Sequence, residues 1–451
     1  MAKLLTMTRR WLLRALRPRP GMLKRKLGWV LFIVLLSFLI VLSVFDDVFR
    51  NAVGVGRISY NVPRYLDEKD TAPINCQYLF EGRKTEIERA KYKMASDYDY
   101  LANLDDSYIR TGTNDCSKFK QDHGYIMNVS KEEEEFPIAF SIVLYKDAQQ
   151  AERLLRAVYR PNNHYCIHVD AKASPSVHAA MKKLTECFDN VNMASKTLDV
   201  TWGKFSVLET ELVCISDLLH FKKWKYFINL TGQEYPLKTN LQLVKILKAY
   251  NGANDIDGTV SRYFESLRRW WLAGSPPHGI RPVLGSVHIV ANRGFVDYAI
   301  NNQVAKDLLR WVRWTDIPDE TFFSTLNHNP QLMIPGTYIG IPETNPEIKP
   351  FLSRYKIWDN GFHILLDDCQ GKYVHDICIF GVGDLPRFQK RKELFANKFH
   401  IDFEPLVYDC MEQKYFNTVR EEHRGMSNFD DTYYKSVGFV ISQVKPQLNE
   451  L

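Results

Sequence analysis

Between residues 136 and 238, short apolar runs alternate with amphipathic segments. The first run, Phe-Pro-Ile-Ala-Phe-Ser-Ile-Val-Leu-Tyr-Lys, lacks polar alternation and leads into a helical pattern over 147–159. Tyr-Cys-Ile-His-Val-Asp-Ala-Lys (165–172) repeats the motif, and two more strand–helix pairs follow. A strand over 225–231 follows a helix over 205–219, with another helix over 240–250. Continuous apolar runs suit strands covered on both faces, so the pattern predicts an α/β domain with a Rossmann-type, mostly parallel sheet flanked by helices. Residues 251–290 read as a loop-rich, aromatic excursion before a strand over 286–291 and helices over 296–301 and 305–314. In such sheets, ligands bind beyond the carboxyl ends of the strands. Val143–Tyr145, Asp170 and Gln233–Glu234 fall at those ends.

Upstream, residues 27–45 carry no charge, which at about 1.5 Å per residue just spans a hydrocarbon core. Nine Lys or Arg residues and no acid precede them, and Asp46 and Asp47 follow. That asymmetry predicts a cytoplasmic tail (1–26), a signal anchor (27–45) and a lumenal remainder. A cleaved signal peptide is the alternative, but its apolar core is shorter and it ends in a small-residue cleavage site. The span is short enough to suit early secretory membranes. Residues 46–120 lack sustained periodicity except for a helix near 84–95, and read as a stem before a catalytic domain over 121–451. The net charge of +6 belongs to the tail: without it, 50 basic residues face 53 acidic ones, so no nucleic-acid footprint remains.

All eight cysteines lie on the expected lumenal side, where disulfides persist. Their spacing alone cannot choose among the possible pairings, and no CxxC or CxxH points to zinc. Asn128-Val-Ser in a charged loop is a glycosylation candidate; Asn229-Leu-Thr sits in a predicted core strand and is not.

The Val143–Tyr145, Asp170–Lys172 and Gln233–Glu234 segments, with Asp316-Ile-Pro-Asp-Glu-Thr and Phe395-Ala-Asn-Lys-Phe, resemble the β-1,6-N-acetylglucosaminyltransferases, the core 2 and I-branching enzymes of glycosyltransferase family 14. The resemblance runs from about Cys116 to Cys410. It implies a GT-A-like fold and the pairs Cys76–Cys410, Cys116–Cys187, Cys166–Cys214 and Cys369–Cys378. It also implies a UDP-GlcNAc donor and an O-glycan acceptor on glycoproteins at the Golgi membrane.

By the residues alone, Asp319 and Glu320 could simply favour the N-terminus of a helix, where acids meet its dipole. Pro-Asp-Glu also matches the family's catalytic base, which would make Glu320 the group that takes the proton from a sugar O6. No Asp-x-Asp metal pair follows the strand over 225–231: Thr231-Gly-Gln-Glu stands there. Asp97-Tyr-Asp99 lies in the stem and Asp255-Ile-Asp257 in a loop. A metal-independent reaction is therefore expected, with cations stabilising the leaving diphosphate. Lys398 matches the family's diphosphate lysine. The family's partner arginine is His375 here, with Arg387 as a possible substitute. Lys390, Arg391 and Lys392 read as a solvated basic helix face.

For the donor, Val143, Leu144, Tyr145, Asp170, Ala171 and Lys172 match family contacts. Trp202 replaces a tyrosine, either stacking on the uracil or filling the core. His168 reads as a core histidine. On the acceptor side, Asp257 and Trp358 match family positions. Glu265, Arg268 and Arg269 fall in the matching charged segment one residue out of register, and Asn360 replaces a tyrosine. These departures leave open UDP-glucose or UDP-xylose as donor, or a non-catalytic glycan-binding relative.

Overall fold

Why the opening stretch folds as it does is visible in its strand register. In the computed structural model, which describes residues 74–96, 106–261, 268–342, 345, 347–359 and 368–445, the apolar runs form β1 (Ile138–Leu144), β2 (His164–Val169), β3 (Val191–Met193) and β4 (Tyr226–Thr231). Every side chain of β1 except Val143 is buried, as strands covered on both faces require. Short strands β5 (Glu234–Pro236), β6 (Asp255–Ile256) and β7 (Ile289–Asn292) follow. The main sheet has the order β3-β2-β1-β4-β7-β6. β1 through β4 pair in parallel, and β7 alone runs against its neighbours. The expected mostly parallel α/β sheet is therefore present, in an arrangement that fits a GT-A-like domain.

Crossover helices Ala148–Val158, Pro175–Thr185 and Phe205–Leu218 join the parallel strands. Apolar side chains divide into one cluster around Phe140, Ile142 and Leu247 and another around Phe227, Leu308 and Phe322. Asp255 was expected in a loop beyond the core. It instead lies in the edge strand β6, buried, because its carboxylate accepts from the Leu352 amide at 3.2 Å.

A second, three-stranded sheet decides the position of the site. Strands β8 (Arg354–Tyr355), β9 (Lys372–Val374), β10 (Ile377–Ile379) and β11 (Phe395–Asn397) complete the set, and β11 pairs antiparallel to β5 and parallel to β8. β5 starts three residues after β4, so this small sheet stands directly beyond the carboxyl end of the large one.

The described part of the stretch read as stem is helical, with helices Cys76–Phe80, Lys84–Ser96 and Ser107–Gly112. Cys76 is bonded to Cys410 in the long helix Pro405–His423, and the pairs Cys116–Cys187, Cys166–Cys214 and Cys369–Cys378 also form. These are the four pairs the resemblance implied. Among the described residues no helix is long and apolar enough to cross a membrane. The tail, the anchor and Asp97-Tyr-Asp99 lie outside those residues.

Glu211 is buried beneath β1 and bonds the Ser141 hydroxyl at 2.7 Å. Burial raises its carboxyl to about 7, against opposing hydrogen bonds from Ser141 and Asn229. An acid with a raised folded pKa contributes stability in full below its unfolded pKa and loses it as pH rises through the folded one. Between pH 6 and 8 the loss is about 1 kcal/mol for such a group. The Tm difference between wild type and E211Q should therefore change correspondingly over this interval, wild type losing ground as pH rises. An E211Q profile parallel to wild type would show that Glu211 is not the source of that loss.

Candidate active site

At the donor side, β1 and β2 run in register, with Leu144 opposite Val169. The Leu144 side chain is buried and its carbonyl accepts the Asp170 amide at 2.9 Å, so Leu144 contributes only backbone here. The Val143 carbonyl likewise accepts the Gly232 amide at 2.8 Å. Tyr145 emerges exposed at the strand end. Asp170, buried, accepts the Lys172 amide at 2.8 Å, closing a tight turn. The Ala171 amide donates to the Leu198 carbonyl at 2.9 Å. Lys172 donates to the Val200 carbonyl at 2.6 Å and pairs with Asp199 at 2.8 Å. The turn after β2 is thus laced to the segment leading to Trp202, which is 83% exposed and so has no core role. His168 is a core histidine, as its sequence context suggested: its Nε2 accepts the Leu198 amide at 3.0 Å.

The next residue, Gly203, connects this loop to the segment of the candidate base, Glu320. Its carbonyl accepts the Ile317 amide at 3.1 Å. Glu320 was expected in the first turn of a helix; it instead closes a 3-10 turn, Pro318–Glu320, and the helix Phe322–Asn327 starts two residues later. The cause is local: Ile317 is left-handed (φ +50°), and the Glu320 amide reaches back only three residues, to Ile317.

The Glu320 carboxylate accepts from Arg269 Nη1 at 2.6 Å, and Arg269 is buried while Arg268 is exposed. Gly285 donates its amide to the Glu320 carbonyl at 2.8 Å. A Cβ at Gly285 would stand 2.0 Å from the Ser324 hydroxyl and 2.4 Å from the Asp257 carbonyl, so only glycine fits there. That glycine lets the backbones of Asp257 and Glu320 both close on one residue. Glu265 lies outside the described residues.

Two shifted groups flank the base. Burial raises the Asp319 carboxyl to about 7, and the neighbouring Glu320 charge adds to the rise. Burial lowers the Lys356 ammonium to about 8, opposed by Glu234 and Glu320.

The third wall comes from the small sheet. Register pairs Asn397 with Glu234, so Lys398 leaves β11 beside the carboxyl end of β4. The buried Glu234 accepts from Arg354 Nε at 2.6 Å, Thr231 Oγ1 at 3.0 Å and Asn397 Nδ2 at 3.1 Å, with His288 Nδ1 at 3.4 Å. Burial lowers the Lys398 ammonium, Lys146 adds to this and Glu234 opposes it. Trp358 is half-exposed and bridges Ile377, with the Lys356 ammonium 5.6 Å from its ring.

His375 and Asp376, both with positive φ, form the tip of the β9–β10 hairpin, and His375 is exposed. The Asp376 carbonyl accepts the Asp359 amide at 2.8 Å, so the tip borders the Trp358 segment. Asn360 lies outside the described residues. Arg387 is engaged elsewhere: it bonds the Asp368 carbonyl and lies 3.4 Å from Asp384. Arg391, expected on a solvated helix face, stacks on Tyr355 at 3.8 Å and bonds its hydroxyl, because residues 382–390 form a 3-10 turn instead. Lys390 and Lys392 are exposed.

Comparison with known proteins shows what a chain carrying these segments is similar to. Residues 138–388 match the family described as Core-2/I-Branching enzyme. A Danio rerio β-1,3-galactosyl-O-glycosyl-glycoprotein β-1,6-N-acetylglucosaminyltransferase 4 is 33% identical over 85% of this chain and 92% of its own length. The Mus musculus protein of that name is 34% identical over 78% of this chain and 81% of its own. A Homo sapiens β-1,3-galactosyl-O-glycosyl-glycoprotein β-1,6-N-acetylglucosaminyltransferase is 32% identical over 77% and 86%. The chain belongs to the Core-2/I-branching enzyme family.

This glycosyltransferase has site features that sequence reasoning missed. Arg269, expected on the acceptor side, bonds Glu320 itself. Lys356 could have been noticed, since alternation along Arg354-Tyr-Lys-Ile-Trp358 sets Arg354, Lys356 and Trp358 on one face. Trp271 and Trp314, 79% and 73% exposed, stand in segments tied to the base loop through the Asp316 amide and Arg269 carbonyl at 2.9 Å. Exposed aromatics beside planar donors suit sugar rings.

Proposed function

We propose that this enzyme transfers N-acetylglucosamine from UDP-GlcNAc to O6 of an acceptor sugar in β linkage. The core 1 O-glycan, Gal-β1,3-GalNAc on Ser or Thr, is the proposed acceptor. The observation that carries the reading is Glu320, its carboxylate held at 2.6 Å by the buried Arg269. Arg269 engages Oε2, which leaves Oε1 to receive the acceptor proton. As the O6–H proton moves to Glu320, the O6 electron pair forms the bond to the anomeric carbon. The bond from that carbon to the diphosphate oxygen breaks, and its pair leaves with UDP. One displacement inverts the α donor to a β product.

Cations rather than a divalent metal are proposed to stabilise the diphosphate. Glu234, the acid at the end of β4, supports this because its carboxylate is already occupied by Arg354, Thr231 and Asn397. Cys369, Cys378 and Asp384 cluster within 4.8 Å, but both sulfurs are in a disulfide. The enzyme is further proposed to be a single-pass type II protein of the Golgi membrane with a glycan on Asn128. Asn128 is exposed, whereas Asn229 is buried and bonds Val287.

The test is a donor screen with the full-length chain in detergent and Gal-β1,3-GalNAc as acceptor, with the product linkage determined. UDP-GlcNAc should be turned over fastest, giving a β-1,6 product. His375, in place of the family arginine, makes UDP-glucose and UDP-xylose the informative competitors, and preference for either would reassign the donor. UDP binding without turnover on any acceptor would show a glycan-binding relative instead.

A further inference from the structure

The resemblance places a second diphosphate cation at position 375, yet the structure gathers positive charge elsewhere. Lys146 directly follows Tyr145 at the carboxyl end of β1, half-buried, with Asp402 and Asp147 each at 3.0 Å. The segment carrying Lys398, His400 and Asp402 is fixed against the same end of the sheet. The Phe399 amide donates to the Gln233 carbonyl at 2.8 Å. Gln150, in the helix after β1, donates to the Phe399 carbonyl at 3.0 Å and accepts the Ile401 amide at 3.0 Å. The hairpin joins from the other side: the Phe380 amide donates to the Lys398 carbonyl at 2.9 Å, and the Lys372 ammonium sits 4.2 Å from the Phe403 ring.

The resulting group holds three ammonium ions, those of Lys146, Lys372 and Lys398, against the two carboxylates of Asp147 and Asp402. His400 lies among them. Its ring is pushed down to about 4 by burial and then by Lys146 and Lys398, so it is neutral at lumenal pH. Its Nε2 is buried without a hydrogen-bond partner. Among the described residues Lys398 has no ion-pair partner either. A neutral ring nitrogen without a hydrogen-bond partner and a half-buried ammonium whose attracting carboxylate, Glu234, is already bonded to Arg354 both suit an anion.

We infer that Lys146, with His400 as a neutral donor, completes the diphosphate site of Lys398 in this chain, taking the role that the resemblance places at position 375. This rests on the proposed UDP-sugar reaction. Lys146 suits the role because Asp402 and Asp147 hold its ammonium in place without burying it, and Asp402 is itself half-exposed and able to yield to a phosphate oxygen. The three segments are far apart in sequence, so the site exists only in the folded chain.

The experiment is calorimetric titration of the full-length chain with UDP and, separately, with uridine. A charge-assisted contact to one phosphate is worth roughly 10- to 100-fold in affinity. K146M should weaken UDP by that factor and leave uridine unchanged, K146R should stay within about threefold of wild type, and H400Q should show a smaller loss on UDP alone. Retained uridine binding would also show that the variants are folded. Unchanged UDP affinity in K146M, or equal losses for UDP and uridine, would overturn the inference. A wild-type chain that binds no UDP would overturn the reading of the reaction, and this inference with it.

Discussion

E320Q should reduce transfer by about a thousandfold while the protein folds and binds UDP as wild type does. General-base contributions typically fall between roughly 10²- and 10⁴-fold. The effect should lie in kcat, because the amide keeps the size and the hydrogen bond from Arg269 but cannot take a proton from O6. Asp319 does not replace it. That carboxyl is buried, with Oδ1 shut away from solvent, so an acceptor hydroxyl does not reach it. E320Q with kcat within tenfold of wild type would remove Glu320 from the role of base. A loss of UDP affinity equal to the loss of turnover would indicate instead that the residue supports the pocket.

How much of this was legible in the chain depends on what each residue answers to. β1, β2 and β4 were readable because strands buried on both faces must be largely apolar without alternation, and Ile138–Leu144 satisfies that with Ser141 as its one polar residue. Asp255 was misread because a two-residue edge strand carries too little pattern to distinguish from a loop. The disulfides were beyond arithmetic; only resemblance selected them, and Cys76 lies 334 positions from its partner. Glu320 was singled out through its motif, but its bond to Arg269 was not legible. Choosing Arg269 over Arg268 depends on which of two adjacent side chains turns inward, and that is decided by a segment 51 positions away. Lys146 and His400 were missed for the same reason: each is unremarkable locally, and their charge is meaningful only when Gln150 and Gln233 draw the 397–402 segment onto the end of β1. His375 was singled out because resemblance compares positions, whereas an electrostatic requirement can be met by a residue from elsewhere in the chain.

K398M should lower kcat by about 10²- to 10³-fold, and wild-type activity should persist in excess EDTA. The two results belong together because they share one cause. Bond cleavage leaves new negative charge on the diphosphate, and donors already in place where charge develops contribute most to the rate. Lys398 is placed for this: half-buried, without an ion-pair partner among the described residues, and fixed at the end of β11 by the bond from Phe380. Burial strengthens its attraction for the leaving group, since the surroundings screen it less than water does. It also lowers the ammonium's own pKa, a cost that the arriving diphosphate offsets. Removing the charge should therefore act more strongly on the step than on uridine binding. Uridine affinity should stay within about twofold, because the nucleoside gains nothing from a phosphate cation. Activity abolished by EDTA and restored by manganese would place a metal where Lys398 is assigned. K398M with near-normal kcat would leave Lys146 and His400 as the principal contacts to the leaving group.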